Sequence, residues 1–161
     1  MNASLWDLPL GSVADDVAGR TPAPAGVASA SIAATLAVSL LIKMLEISGK
    51  RRDLRDEVQR LSAELREAAD ADCAAIRDSL QSTEAMNVPM RAARAAFHGL
   101  DLFNQAAPSI TGVLAADVRA GRELLAGAAR AILACIDGNL ERRPSPEMAA
   151  EVIALRARLT A

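Results

Sequence analysis

Tyrosine is absent from this chain, and all aromatic residues together make up 2% of it. A core with so few rings must be filled by aliphatic side chains. Alanine and leucine supply them, and both are good helix formers. Strand-like alternation is also missing, as is any internal repeat. The two cysteines, Cys73 and Cys135, lack metal or redox spacing, and no signal-peptide pattern precedes them, so a cytoplasmic setting is expected. Nor is there a strong charge of either sign. The net charge is −2 and the pI about 5.4, which leaves no overall field to draw the chain to nucleic acid. In "GKRRDLRDEVQR" the basic residues mix with acidic ones, as on a solvated helix face.

What remains is 161 residues, 52% hydrophobic and 24% charged, enough for one helical domain over 1–161 with a respectable core. The expected architecture is all-α, a compact bundle of five to six helices. The one segment resembling a membrane anchor is "GVASASIAATLAVSLLIKML". It is rich in alanine and serine, meets Lys43, and follows Asp15, Asp16 and Arg20 where a signal peptide carries a basic start. It reads instead as a helix apolar on every side, buried in the bundle or at a subunit interface, and a homodimer is expected.

Punctuation residues divide the helices. Ser12 and Asp15 resemble a capping box that opens a short helix ending at Gly19. "RTPAPAG" is turn chemistry, with Pro24 expected in the first turn of a second helix that stops at Ser48-Gly49. A third helix is expected over 51–80, and a fourth capped by Asn87 with Pro89 in its first turn, ending near Asn104. Pro108 and Gly112 precede a fifth over 113–140, and Ser145-Pro146 opens a last one ending near Leu159.

One stretch departs from this packing logic. "REAADADCAAIRDSL" places Asp70 and Asp72 in an alanine run that otherwise reads as buried helix. At about 100° per residue, the apolar stripe of the third helix passes through Leu54, Val58, Leu61, Leu65, Ala68, Asp72, Ala75 or Ile76, and Leu80. Asp72 therefore stands in the core stripe, while Asp70 points to nearly the opposite side and joins Arg66 and Arg77 among solvated positions. A core-facing carboxylate carries a desolvation cost unless it is paired, hydrogen-bonded or open to a cleft. Two readings follow: a structural aspartate capping a neighbouring helix or meeting an arginine, or an acid/base group with a raised pKa. On the fifth helix, Asp117 near the start suits the positive end of the helix dipole as well as a site, and Asn139 near Gly138 suits a helix stop. His98 belongs with Arg91, Arg94 and Asp101 on a polar face, and Trp6 with Leu5 is read as an anchor on the bundle or on a second subunit.

Together these segments resemble the cyclodeaminase/cyclohydrolase family acting on tetrahydrofolate derivatives. "SVADDVAGRTPAPAGVASASIAATLAVSLLIKML" is similar to the family's opening, a short helix and then a Pro-x-Pro-Gly-Gly-Gly-Ser turn into an Ala-rich helix. "DADCAAI" is similar to its Asp-x-Asp-Ala motif and "NVPM" to its Val-Pro-Leu. The resemblance implies an all-α homodimer with a folate cleft near the subunit interface. It makes Asp72 the acid/base residue and places Pro24, Gly26, Val27, Asp117 and Asn139 around the ligand. The implied ligand is a methenyl- or formimino-tetrahydrofolate, held as substrate with no metal and no separate cofactor. Lys50, Arg51 and Arg52 are read as a solvated loop or as a seat for a folate glutamate tail.

This chain also departs from the pattern. The glycine turn reads Ala25-Gly26-Val27-Ala28, which adds two Cβ atoms and removes a hydroxyl. Ala116 replaces a serine, an asparagine near Cys135 is missing, and the segment ahead of Val88-Pro89 is short. Two functions therefore stand side by side: a tetrahydrofolate one-carbon enzyme, or a non-catalytic helical dimer of the same family acting as an accessory subunit.

Overall fold

The periodic alanine- and leucine-rich segments fold into six α-helices in the computed structural model, which describes residues 4–78 and 84–159. They are α1 (Leu10–Ala18), α2 (Gly26–Ser48), α3 (Arg55–Asp78), α4 (Glu84–Ala106), α5 (Leu114–Arg142) and α6 (Pro146–Arg158). Among the described residues there is no strand. Leu80, expected to close the third helix, lies outside the described residues.

Helices α2 to α5 form the body. α2 packs on α3 and α5, and α4 packs on the same two from the other side. The short turns at 49–54 and 107–113 reverse the chain, so neighbouring helices run antiparallel. α2 is long and apolar enough to cross a membrane, but here Ala34, Ala37, Val38, Leu41 and Met44 are buried in the bundle. The small residues let the backbones of its neighbours come close. Its outer side is not covered: Leu36 is 49% and Ile47 58% exposed. Both phenylalanines, Phe97 and Phe103, sit on α4 and are fully buried.

The helix ends follow their local chemistry in most places. Gly49 ends α2 with φ of 65°, a left-handed turn that glycine adopts without the strain a side chain brings, and its N–H returns to the Leu45 carbonyl. Ser145 caps α6, its Oγ accepting from the Met148 N–H at 3.4 Å.

Three starts differ from expectation. α1 begins at Leu10 behind Pro9, so Ser12 lies inside it and caps nothing. Pro24 precedes α2 rather than entering its first turn, and Ala25 carries the extended backbone of the cap position. α4 is already under way at Glu84, with Asn87 and Pro89 inside it. Burial of Met86, Val88 and Met90 holds that turn helical although Pro89 offers no N–H to it.

α6 lies over the body through Val152 and Leu155, which are buried. Arg94–Glu151, Arg156–Asp137 and Arg158–Asp101 pairs at 2.6 to 2.7 Å surround it. Exposed pairs of this kind are each worth about 0.2–1 kcal/mol, so the apolar contacts carry more of the docking.

Candidate functional site

Because the four long helices alternate in direction, the start of α2, the end of α3, the start of α4 and the end of α5 meet at one end of the bundle. A cleft of about 750 Å³ opens there. Pro22, Ala25, Gly26 and Val27 line it from the turn into α2, Asp72, Ala75 and Ile76 from α3, Met86 from α4, and Cys135, Gly138, Asn139, Arg142 and Arg143 from α5. The volume lies within the range of small-molecule sites.

Asp72 is 6% exposed, and its Oδ2 accepts the Ala28 N–H at 3.1 Å. Ala28 is the third residue of α2, so the carboxylate caps a helix on a different segment, at the positive end of that helix. No hydrogen bond to Oδ1 is present among the described residues. Burial pushes the Asp72 carboxyl above its ordinary pKa, and the Ala28 N–H partly offsets the push. The two readings of Asp72 thus coincide in space: it caps α2 and it lines the cleft.

Close packing at the mouth of α2 explains the retained glycine. A Cβ on Gly26 would lie 2.7 Å from the Cys135 Sγ, so the α2 start and α5 touch where only hydrogen fits. Burial, and the Asp72 charge after it, raise the Cys135 pKa. Cys73 is raised to about 11 by the same two influences, burial first, and packs behind the cleft with Leu5, Ala28 and Ala69. Among the described residues, no three His, Cys, Asp or Glu side chains gather to hold a metal ion.

The expected site residues separate into two groups. Asp72, Gly26, Val27 and Asn139 share the cleft. Pro24 is buried beside it, while its neighbours Pro22 and Ala25 form the lining. Asp117 does not line the cleft: it is exposed in the first turn of α5, about 30 Å along the helix from Asn139. There it complements the helix dipole. Lys50, Arg51 and Arg52 lie at the far end of α2, again about 30 Å away. Arg51 bonds Asp53 and the Gln105 carbonyl instead of facing the cleft. His98 is exposed against Glu57, with Nε2 2.8 Å from Oε1.

Asp70 corrects the solvated assignment. It faces away from Asp72 as the helix period requires, yet its Oδ2 accepts the Ser4 hydroxyl at 2.6 Å and its Oδ1 the Leu5 N–H at 2.9 Å. The side opposite the core stripe is covered by the N-terminal turn Leu5–Asp7. Trp6 completes that anchor on the bundle, donating from Nε1 to the Arg66 carbonyl at 3.1 Å beneath the Arg66 guanidinium.

Arg142 and Arg143 fall beyond the end expected for the fifth helix at 140, whereas α5 runs on to Arg142 and carries them to the cleft. Their signal is the spacing Cys135, Asn139, Arg142, which repeats every three to four residues and puts all three on one face of α5. The Arg142 guanidinium donates to Asn139 Oδ1 at 2.7 Å along that face.

Comparison with known proteins agrees with the all-α fold. No curated protein matches the chain. The fold is similar to that of formiminotetrahydrofolate cyclodeaminase from Thermotoga maritima, with a TM-score of 0.71 at 20% identity over 95% of this chain and 88% of that one. The sequence profile described as formiminotransferase-cyclodeaminase matches residues 60–156, from α3 through α6 and including Asp72, Cys135, Asn139 and Arg142. With more than half of its length matched in this way, the chain belongs to the formiminotransferase-cyclodeaminase family.

Proposed function

We propose that the chain acts on a tetrahydrofolate one-carbon derivative, methenyl- or formimino-tetrahydrofolate, with Asp72 as the acid/base group. The observation that carries this is a buried carboxylate, raised in pKa, with one oxygen fixed by α2, in the lining of a ligand-sized cleft. Hydration of a methenyl compound needs a base to take a proton from the water that adds to the one-carbon atom. Release of ammonia from a formimino compound needs an acid to protonate the departing nitrogen. A carboxyl group with a raised pKa serves either step near neutrality. The delocalised positive charge of a methenyl compound also suits a carboxylate shielded from water. The direct test is the loss of methenyl-tetrahydrofolate absorbance, and separately the release of ammonia from formimino-tetrahydrofolate, on adding the purified chain.

A second reading, an accessory subunit without catalysis, draws on the Ala28 N–H bond that already gives Asp72 a structural task. It also draws on Val27, which lines the cleft at the start of α2 where the family pattern has a glycine. Val27→Gly tests whether that side chain limits the site. It is expected to tighten a reduced folate several-fold, while costing about 0.5–1 kcal/mol for a glycine in the first helical turn, plus lost burial. Calorimetry that shows equal affinity in both proteins would remove Val27 as the limit on the site. Ala28 is left unchanged in this test, because it is buried against Leu5, Ala69 and Cys73, where an added hydroxyl would be desolvated.

The proposed assembly is a homodimer through the outer face of α2. Leu36 and Ile47 are half exposed there, on the most apolar helix of the chain. Light scattering at micromolar concentration should give twice the chain mass, and Leu36→Glu should shift it toward the monomer. A stable native monomer would end this proposal.

A further inference from the structure

The cleft carries opposite charges at two levels. Asp72 and Cys135 line the same cleft: Asp72 accepts the Ala28 N–H, and two residues earlier a Cβ on Gly26 would lie 2.7 Å from the Cys135 Sγ. Arg142 is seven residues further along α5 and on the same face, about 10 Å toward the helix end. Asn139 Oδ1 takes one N–H of the Arg142 guanidinium, and among the described residues Arg142 pairs with no carboxylate. A guanidinium oriented by a neutral amide keeps its full charge and its remaining donors for a ligand. Dipole compensation alone requires neither the Asn139 bond nor placement on the cleft wall.

We propose that Arg142, with Arg143 beside it, holds the anionic end of the molecule the cleft binds. The ligand then carries carboxylate charge about 10 Å from the group that meets Asp72, by the rise of two helical turns. Asn139 is a positioning residue in this scheme and acts through Arg142. Resting on the folate reading above, the anion is the glutamate portion, so the site distinguishes folates by their tails. The Lys50–Arg52 junction, at the other end of α2, plays no part.

Cys135 supplies a test that needs no folate. Iodoacetate and iodoacetamide attack the same thiolate, so the ratio of their rates cancels its pKa and reports the local potential. Peptide mass spectrometry separates Cys135 from Cys73, which is 1% exposed. In the Arg142→Gln/Arg143→Gln variant the iodoacetate-to-iodoacetamide ratio at Cys135 should fall about fivefold, and added salt should shrink the native ratio toward the variant's. An unchanged ratio overturns the proposal whatever the folate results.

In parallel, 5-formyltetrahydrofolate should bind the native chain about tenfold more tightly than the analogue lacking glutamate, as one charge-assisted contact implies, and the variant should lose that preference. Equal native affinities for the two compounds also overturn it, while leaving the folate reading intact. Binding of neither compound, with the alkylation ratio still dependent on the arginines, overturns the folate reading and supports the anion site.

Discussion

Asp72→Asn should reduce turnover of a methenyl- or formimino-tetrahydrofolate by about two to four orders of magnitude, the usual range for a lost general acid or base, while affinity changes far less. The substitution is unusually clean here. The asparagine side-chain oxygen can still accept the Ala28 N–H that Asp72 Oδ2 accepts at 3.1 Å, so the start of α2 stays capped. Asp72→Leu removes the cap as well, at about 0.5–2 kcal/mol, and mixes two effects. Steady-state kinetics with a direct binding measurement separate them. Full turnover in Asp72→Asn would sink the catalytic assignment.

The same variant carries a stability signature of known sign. Burial raises the Asp72 carboxyl in the folded chain above its unfolded value. The native state therefore binds the extra proton, and its stability falls as pH rises from the unfolded pKa through the folded one. Asp72→Asn lacks this group, so its gain in stability should be greatest at and above neutral pH and should fade in acid. Thermal midpoints of both proteins across that range give the check. A gain that is equal at all pH values would mean that the Asp72 ionisation is not what the folded chain resists.

Local periodicity is enough to place the helices, and punctuation marks some of their ends. Three-to-four spacing placed Leu54, Val58, Leu61 and Leu65 on one buried stripe with Asp72 in line, and all five are buried. Gly49 and Ser145 marked an end and a start because their chemistry is local. What could not be read was which helix ends share a space. Asp117 and Asn139 lie on one helix, and only the antiparallel packing shows that its last turns, not its first, face the α2 start. Met86 overrode the cap expected at Asn87, since burial of a neighbouring turn outweighs a capping preference worth about 1 kcal/mol. Arg142 was not legible because it lies past the expected helix end at 140, where the sequence assigns no helical face; α5 continues through it.

Asp70 shows the same limit and yields the second large effect. Its direction away from Asp72 was legible, but its partners, Ser4 and Leu5, are distant in sequence and cover the face that periodicity alone assigns to water. Ser4 Oγ donates to Asp70 and accepts the Trp6 N–H at 3.2 Å, so one carboxylate organises the whole turn. Hydrogen bonds to a charged group contribute about 1.5–3 kcal/mol each when partly buried, and exposure reduces that. Asp70→Ala should therefore cost about 2 kcal/mol, or roughly 4–8 °C in thermal midpoint for a chain of this size. Trp6 is the only tryptophan, so its emission reports the turn directly and should shift to the red as the indole loses the Arg66 carbonyl. Turnover per folded molecule should stay within a few-fold of native, because Asp70 reaches the cleft only through Leu5 packed behind Ala28. The neighbouring aspartates then divide cleanly: one change removes activity and leaves the fold, and the other loosens the fold and leaves activity. If Asp70→Ala abolished turnover as completely as Asp72→Asn while the chain stayed folded, the assignment of opposite faces to the two carboxylates would fail.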